Sequence, residues 1–299
     1  MGRELGQRLE GQRPRRAHVS LHEPTGEHAV VRPFGEEVVA TTPLSKPALD
    51  VADVAVVCDR PDAAATALLR EAATRIPVVD LTGDLAGTPI EARRGARIVG
   101  LGPGVYASPS ASSLLAAALA RAAREAGARG PVVMTILEPV SEAGREAVDE
   151  MFQQAVSLLN FSALPTRVFG RQVVHDVVSP GLGGREREAR LRREIEALCG
   201  ERVPLLVLSP GLFHGMAVAA RAEVDASAWR ARLAAHAGLL LSGADEEAAS
   251  PVSAVKQECA SIGRVEPDEA GGAWAWAAAD SLTCGSVGNA FALFSEISS

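Results

Sequence analysis

Apolar positions along the chain switch between a helical period and nearly continuous runs, and the switches mark out most of its elements. In GRELGQRLEG (2–11), Leu5 and Leu9 fall on one helical face, and AHVSLHE (17–23) alternates as a short strand does. A stretch holding VVRPFGEEVVATTP reads as loop-rich. It leads to ADVAVVC (52–58), an apolar run of the kind buried on both faces of a parallel sheet. Residues 62–74 predict a helix and PVVDL (77–81) the next buried strand. Alternating strands and helices argue for a doubly wound α/β unit, in which ligands bind at the carboxyl ends of the strands.

After GARIVGLGPGVYASPSASS comes a predicted helix over 113–126, with Ser110 or Ser112 as N-cap and Gly127 as its stop. From Pro131 the texture changes. A strand (VVMTILEPVS), an amphipathic helix (GREAVDEMFQQAVSLLNF), a strand near VVHDVVSP, a charged helix over 185–198 and a strand-rich run over 204–224 follow in turn. The last strand, AWAWAAAD, precedes a closing helix, SVGNAFALFSEI. The expected organisation is a dinucleotide-binding-like domain over 1–112, completed by a C-terminal helix over 285–299, and an α+β domain over 113–284.

Composition narrows the function classes. With 47% hydrophobic and 22% charged residues, the 299-residue chain has enough apolar material for a substantial core, which excludes disorder of its bulk. A net charge of −7 gives no general footprint for nucleic acid. Cys58, Cys199, Cys259 and Cys284 form no CxxC pair, so neither a disulfide framework nor a zinc site is expected, and a reducing cytoplasm fits. His18 and His22 share a strand face without a third ligand, so no metal site is expected there either. The charged start lacks the apolar stretch of a secretion signal, and no window approaches the roughly 18 apolar residues of a membrane span.

Several segments, in one order, resemble the aspartate-semialdehyde dehydrogenase family and its paralogues. GVYASPSASS resembles G-x-x-A-N-P-N-C-S, and PVSEAGREAVDEMFQQAVSLLNF resembles the S-G-A-G-x-x-x-x-x-E-L turn and helix. IGRVEPD followed by AWAWAAADSL resembles V-G-R-I-R-x-D and a strand ending in S-D-N-L. The resemblance implies a Rossmann-like doubly wound sheet with an α+β dimerisation domain, and NADP-linked interconversion of an acyl phosphate and an aldehyde in amino-acid biosynthesis. A cysteine thiolate, a glutamine and a histidine would carry that chemistry.

At the matching positions the residues depart. Ala111 stands at the nucleophile, Met216 at the histidine in GLFHGMAVA, and Glu138 at the glutamine, with Glu142 at the first glycine of the turn. Ser110, Ser112 and Ser113 are alternative nucleophiles, for which helix capping is the simpler account. His214, two residues before Met216, shares its strand face but is displaced by about 6–7 Å. Glu138 and Glu142 read as exposed loop carboxylates. Arg187, Arg190 and Arg193 lie where the resemblance puts substrate-binding cations, although a solvated helix face explains them as well. Asp280, Gly285 and Asn289 match the terminal D-N-L-R-K-G-A-A-x-N motif, whereas Thr283 and Cys284 replace its basic pair, and Cys284 is not in register to be a displaced nucleophile.

MGREL resembles the end of G-x-x-G-x-x-G-R-E-L, which makes Gly2 the last glycine of a dinucleotide fingerprint. As written, the chain is therefore expected to lack the first strand and the glycine-rich turn, and to bind NAD or NADP negligibly. An upstream in-frame V-x-V-x-x-G-A-T-G would restore both. The expected reading is a catalytically degenerate, homodimeric protein retained for partner binding or regulation, with Gly2, Gly285 and Asn289 as vestigial cofactor positions and with no metal, nucleic-acid or membrane partner. Competing readings are an active NAD(P)-dependent oxidoreductase and a hydrolase using Ser110 or Ser112.

Overall fold

A computed structural model describes residues 1–11, 19–23, 25, 30–34, 37–241 and 249–294. Their elements, in chain order, are α1 (Gly2–Gly11), β1 (His22–Glu23), β2 (Val30–Phe34), β3 (Glu37–Pro43), α2 (Lys46–Asp50), β4 (Ala55–Val57), α3 (Ala63–Ala72), β5 (Pro77–Asp80), β6 (Thr88–Pro89), β7 (Gly104–Ala107), α4 (Ala111–Glu125), β8 (Arg129–Leu137), α5 (Arg145–Leu159), α6 (Gly184–Cys199), β9 (Leu205–Leu208), β10 (Gly215–Glu223), α7 (Ala226–Ala234), β11 (Leu239–Leu241), β12 (Ala260–Pro267), β13 (Ala273–Asp280) and α8 (Ser286–Leu293). They form two compact units, one of residues 1–110 with 285–299 and one of 111–284.

The first unit is built on a four-stranded parallel sheet of order β4-β5-β7-β6. Val78 and Val79 on β5 are fully buried, as a central parallel strand covered on both faces requires. The helix predicted over 62–74 forms as α3, with the Asp62 carboxylate accepting from Ala65 N at 2.8 Å as its N-cap. On one side, Leu5 of α1 and Val287, Ala290 and Leu293 of α8 share a core with Val79 and Leu81. The segment read as loop-rich contains strands instead: β2 and β3 pair antiparallel from Val30↔Thr41 to Phe34↔Glu37, and β1 adds in parallel to β3.

The second unit carries a six-stranded mixed sheet of order β11-β12-β13-β10-β8-β9. Strict alternation divides it. Val132, Met134 and Ile136 of β8, Met216, Val218 and Ala220 of β10, and Ala273, Ala275 and Ala277 of β13 face a core shared with Leu115 and Leu119 of α4, Leu191 and Ile195 of α6, and Trp229 and Leu233 of α7. The alanines of α4 are buried nearly throughout, so its small side chains serve close packing against strand and helix. The strand expected near VVHDVVSP does not form. That segment is turns with one bridge, Val178↔Ser209, because Gln154 of α5 reaches over and accepts from Val173 N at 2.8 Å and Val174 N at 3.3 Å. His175 there adopts a left-handed φ of 58°.

Candidate functional site

The helix expected from 113 begins at Ala111, so Ser112 and Ser113 lie within its first turn and not at its cap. Ala111 is buried in the main core of the second unit, together with Met216 and Cys284. Met216 is fully buried because it shares strand parity with Val218 and Ala220, the core-facing row of β10, and it pairs with Ala279 of β13. Cys284 donates its thiol to Gln257 O at 3.3 Å. The positions matching the nucleophile and the histidine therefore belong to apolar packing.

His214 lies one residue before the strand it was expected to occupy. β10 begins at Gly215, where a Cβ would fall 1.8 Å from Pro251 O, and His214 precedes that pinch. Its carbonyl accepts from Ser281 N at 3.2 Å, and its buried Nδ1 has no partner among the described residues.

A charged cluster occupies the other side of the first turn of α4. Glu138, following the end of β8, is 3% exposed and is not a loop carboxylate in solvent. Arg187 Nη2 donates to its Oε1 at 2.7 Å and Arg187 Nε to its Oε2 at 3.3 Å, in a fork matched to the carboxylate. The same Nη2 donates to Glu142 Oε2 at 2.8 Å, so one guanidinium serves two carboxylates. Ser112 Oγ donates to Glu138 Oε1 at 2.8 Å, and Ser113 Oγ to Glu194 Oε2 at 2.5 Å. Arg190 Nε lies 3.8 Å from Glu194 Oε1.

Burial pushes the Glu142 carboxyl up to about 7, with Arg187 pulling it back and Glu138 pushing further. For Arg187, burial pulls down, but Glu138 and Glu142 together hold the guanidinium above its ordinary value. Arg187 is thus not part of a solvated helix face, Arg190 is half-buried, and Arg193 is exposed. A sequence signal existed for this division. Arg187, Leu191, Glu194 and Ile195 follow the i, i+4, i+7, i+8 stripe of a buried helix face, Arg190 flanks it, and Arg193 falls outside.

The arrangement has little nucleophilic capacity. Ser112 is fully buried, and its proton is directed to a carboxylate already held by Arg187, so the hydroxyl lacks a free base. Among the described residues no cluster of three or more His, Cys, Asp or Glu side chains can hold a metal. His18 lies outside the described residues.

The expected cofactor positions fall in the first unit. A Cβ at Gly2 would lie 3.2 Å from Cys58 Cβ, the close approach of helix to strand that the third fingerprint glycine permits. Gly285 is the N-cap residue of α8. The Asn289 amide spends its three bonds internally: Oδ1 accepts from Ala92 N at 2.8 Å, and Nδ2 donates to Ile90 O at 3.0 Å and Ser108 Oγ at 2.9 Å. It ties α8 to the loops around the parallel sheet. Burial pushes the Cys58 thiol up to about 11, which keeps it protonated and unreactive.

The fold defined by these elements is that of the aspartate-semialdehyde dehydrogenases, a Rossmann-like domain joined to a dimerisation-type domain. A probable aspartate-semialdehyde dehydrogenase from Pseudomonas aeruginosa superposes with a TM-score of 0.76 at 24% identity, over 97% of this chain and 93% of that one. Aspartate semialdehyde dehydrogenase II of Vibrio cholerae, complexed with ASA, gives 0.80 at 19% identity over 98% and 93%. In sequence, the chain is similar to a USG-1 protein homolog of Azotobacter vinelandii, 32% identical over 174 residues. That stretch is 54% of this chain and spans about half, 52%, of the relative. No family model matches the chain. Among the described residues no helix is long and apolar enough to cross a membrane.

Proposed function

We propose that this protein is a catalytically degenerate relative of the aspartate-semialdehyde dehydrogenases, retained as a homodimeric partner-binding or regulatory protein. The observation that carries the reading is the filling of the site from within. Ala111 and Met216 are core residues, and Arg187, the cation best placed to hold an anionic substrate, is already neutralised by Glu138 and Glu142. Acyl transfer needs a nucleophile, a proton carrier and an unoccupied anion site, and each of these is replaced by something that stabilises the fold. NADP is the cofactor implied by the resemblance, and the residue that fits it is Gly2, where α1 closes on Cys58.

Self-association is supported by the second face of the six-stranded sheet. Val133, Leu206, Leu240 and Trp274 all point away from the helices and are 45–57% exposed. The core face of β9 and β10 is covered by helices of the same unit. Part of the outward row remains for a second copy, Ala217 and Ala278 being already packed against Ala249 and Ala254, and sheet-on-sheet pairing of a C2 dimer would cover that part.

The test is turnover of aspartate semialdehyde, phosphate and NADP by the purified protein, beside the triple variant Ala111→Cys, Glu138→Gln, Met216→His. No turnover is expected from the natural sequence, and none from Ala111→Cys alone, because nucleophile and proton carrier act as a unit. Saturable NADPH formation by the natural sequence would overturn the reading in favour of an active oxidoreductase.

A further inference from the structure

The charged network at the start of α4 is unevenly held. Glu138 and Arg187 are almost closed off from water, with side chains 4% and 9% exposed, whereas the Glu142 side chain is 21% exposed at the network's edge. Glu142 lies in a 3₁₀ turn (Val140–Ala143) between β8 and α5. The start of that turn is clamped: Val140 N donates to Leu212 O at 2.7 Å, Ser141 N to Phe213 O at 3.1 Å, and the Ser141 and Ser281 hydroxyls lie 3.1 Å apart. Its second half is closed by two bonds internal to the turn, Glu142 N to Pro139 O at 3.2 Å and Gly144 N to Ser141 O at 3.1 Å, and by the Glu142 carboxylate on Arg187. Gly144 follows at a φ of 94°, a backbone that favours glycine, and among the described residues no heavy atom beyond its chain neighbours comes within 4 Å of where a Cβ would stand. It is a pivot with room around it.

We propose that Glu142 and Ala143 form a proton-controlled latch over this network, closed on Arg187 while Glu142 is protonated and swung out to solvent about Gly144 when it ionises. One guanidinium does not compensate two buried carboxylates at once. Geometry decides which of them it keeps, because Glu138 is gripped by Nε and Nη2 and Glu142 by Nη2 alone. The charged groups facing Glu142 are Glu138 at the end of β8 and Arg187, Arg190 and Glu194 on α6. With Glu142 ionised, three carboxylates meet two guanidinium groups, and with it protonated the charges balance. His214 ends the segment that accepts from Val140 and Ser141, and Asp280, at the end of β13, spends both carboxylate oxygens on the backbone N–H groups of Lys256, Leu282 and Thr283. A protonated Glu142 keeps Oε2 as an acceptor for Arg187 and adds no charge, so the closed turn suits it. The ionised form recovers its hydration by moving outward and leaves Arg187 and Glu138 as a one-to-one pair. Burial pushes the Glu142 carboxyl up to about 7, which sets the change near neutral pH. The inference does not need the degenerate-enzyme reading, since turnover bears on that reading and motion of this turn on the latch.

Residue-resolved hydrogen exchange from pH 6 to 8.5, corrected for the intrinsic pH dependence of amide exchange, tests it at the Glu142 and Gly144 amides. Three proteins are compared, the natural sequence, Glu142→Gln and Glu138→Gln, with circular dichroism as a folding control. In the natural protein, protection should fall by on the order of tenfold between pH 7 and 8.5, as the closed state sheds its proton. It should stay level in Glu142→Gln, which cannot ionise, and in Glu138→Gln, where Arg187 has one carboxylate to serve and keeps Glu142. The reference is the turn over 268–272, where Asp268 Oδ1 accepts from Ala270 N at 2.9 Å and Gly272 N at 2.8 Å, and its protection should not change. Level protection in the natural protein would overturn the latch. So would an equal fall over 268–272, which would mark loosening of the whole unit, or a matching fall in Glu142→Gln, which would come from another titrating group. A matching fall in Glu138→Gln would overturn it as well, because Glu142 would then leave without a rival for Arg187. If Glu138→Gln does not fold, Glu142→Gln decides alone.

Discussion

Ala111 and Met216 are buried among apolar neighbours, whereas Glu138 and Arg187, on the other side of the first turn of α4, are buried by pairing with each other. The two halves stabilise the same turn by different physics. On the apolar side the gain is transfer of surface from water and close packing, which tolerates apolar side chains of fitting size. On the charged side the desolvation of three ionic groups is offset only by a network in which Ser112, Glu138, Glu142 and Arg187 all take part. The first half is tolerant of substitution within limits of size, and the second depends on keeping Glu138 and Arg187 together.

The largest expected effect breaks the charged half. Arg187→Met leaves Glu138 buried with only the Ser112 hydroxyl, and removal of one partner from a buried pair costs about 3–5 kcal/mol. Urea unfolding should show that loss. Adding Glu138→Leu to Arg187→Met should return most of it, because replacing both members by apolar groups is often close to neutral. A double variant no more stable than the single would mean that shape, rather than pairing, holds this side together.

The apolar half is broken by polarity instead. Met216→His places an imidazole where β10 offers only core contacts, and an unpartnered buried polar ring together with its misfit costs about 2–4 kcal/mol. Desolvation would depress the folded-state pKa of that imidazole below its unfolded value near 6.5. The unfolded chain then binds more protons, so the variant should lose further stability as pH falls below about 6.5, relative to the natural protein. Thermal melts at pH 8 and pH 5.5 check both the loss and its direction.

The contrast also explains what could be read along the chain. β4 and β5 were legible as short apolar runs and α3, α5 and β13 from their patterning, while Ala111, Glu138 and Met216 were singled out because the resemblance aligns each with a motif position. The β2–β3 hairpin was missed because Pro33 and Gly35 carry turn signals into a stretch whose pairing is decided by β3. Helix α7 was missed because its core contribution rests on Trp229 and Leu233 amid alanines and arginines. The pairing of Glu138 with Arg187, 49 positions apart, has no local signature. The stripe through Leu191 and Ile195 could place Arg187 on a buried face, but which carboxylate met it there depended on where β8 ended.

The smallest expected effect sharpens the charged half by separating its two carboxylates. Arg187 is shared, yet only Glu138 is gripped by both Nε and Nη2, while Glu142 takes a single bond and sits beside Glu138 in an environment that disfavours a second negative charge. Its folded-state carboxyl titrates near 7, well above the 4.5 of an unperturbed group, so between those values the folded state binds more protons than the unfolded one. Stability linked to this group is therefore fully present below about pH 4.5 and is lost as pH rises towards 7. Glu142→Gln removes the ionisation while keeping an oxygen for Arg187, and should make the protein more stable than the natural sequence at pH 8, by on the order of 2 kcal/mol. The advantage should shrink as pH falls through 6 and vanish near 4.5. Denaturation of both proteins across that window decides the matter, since an ion pair that stabilised the fold through Glu142 would give the opposite result, a variant weaker at pH 8 and closer to the natural protein in acid.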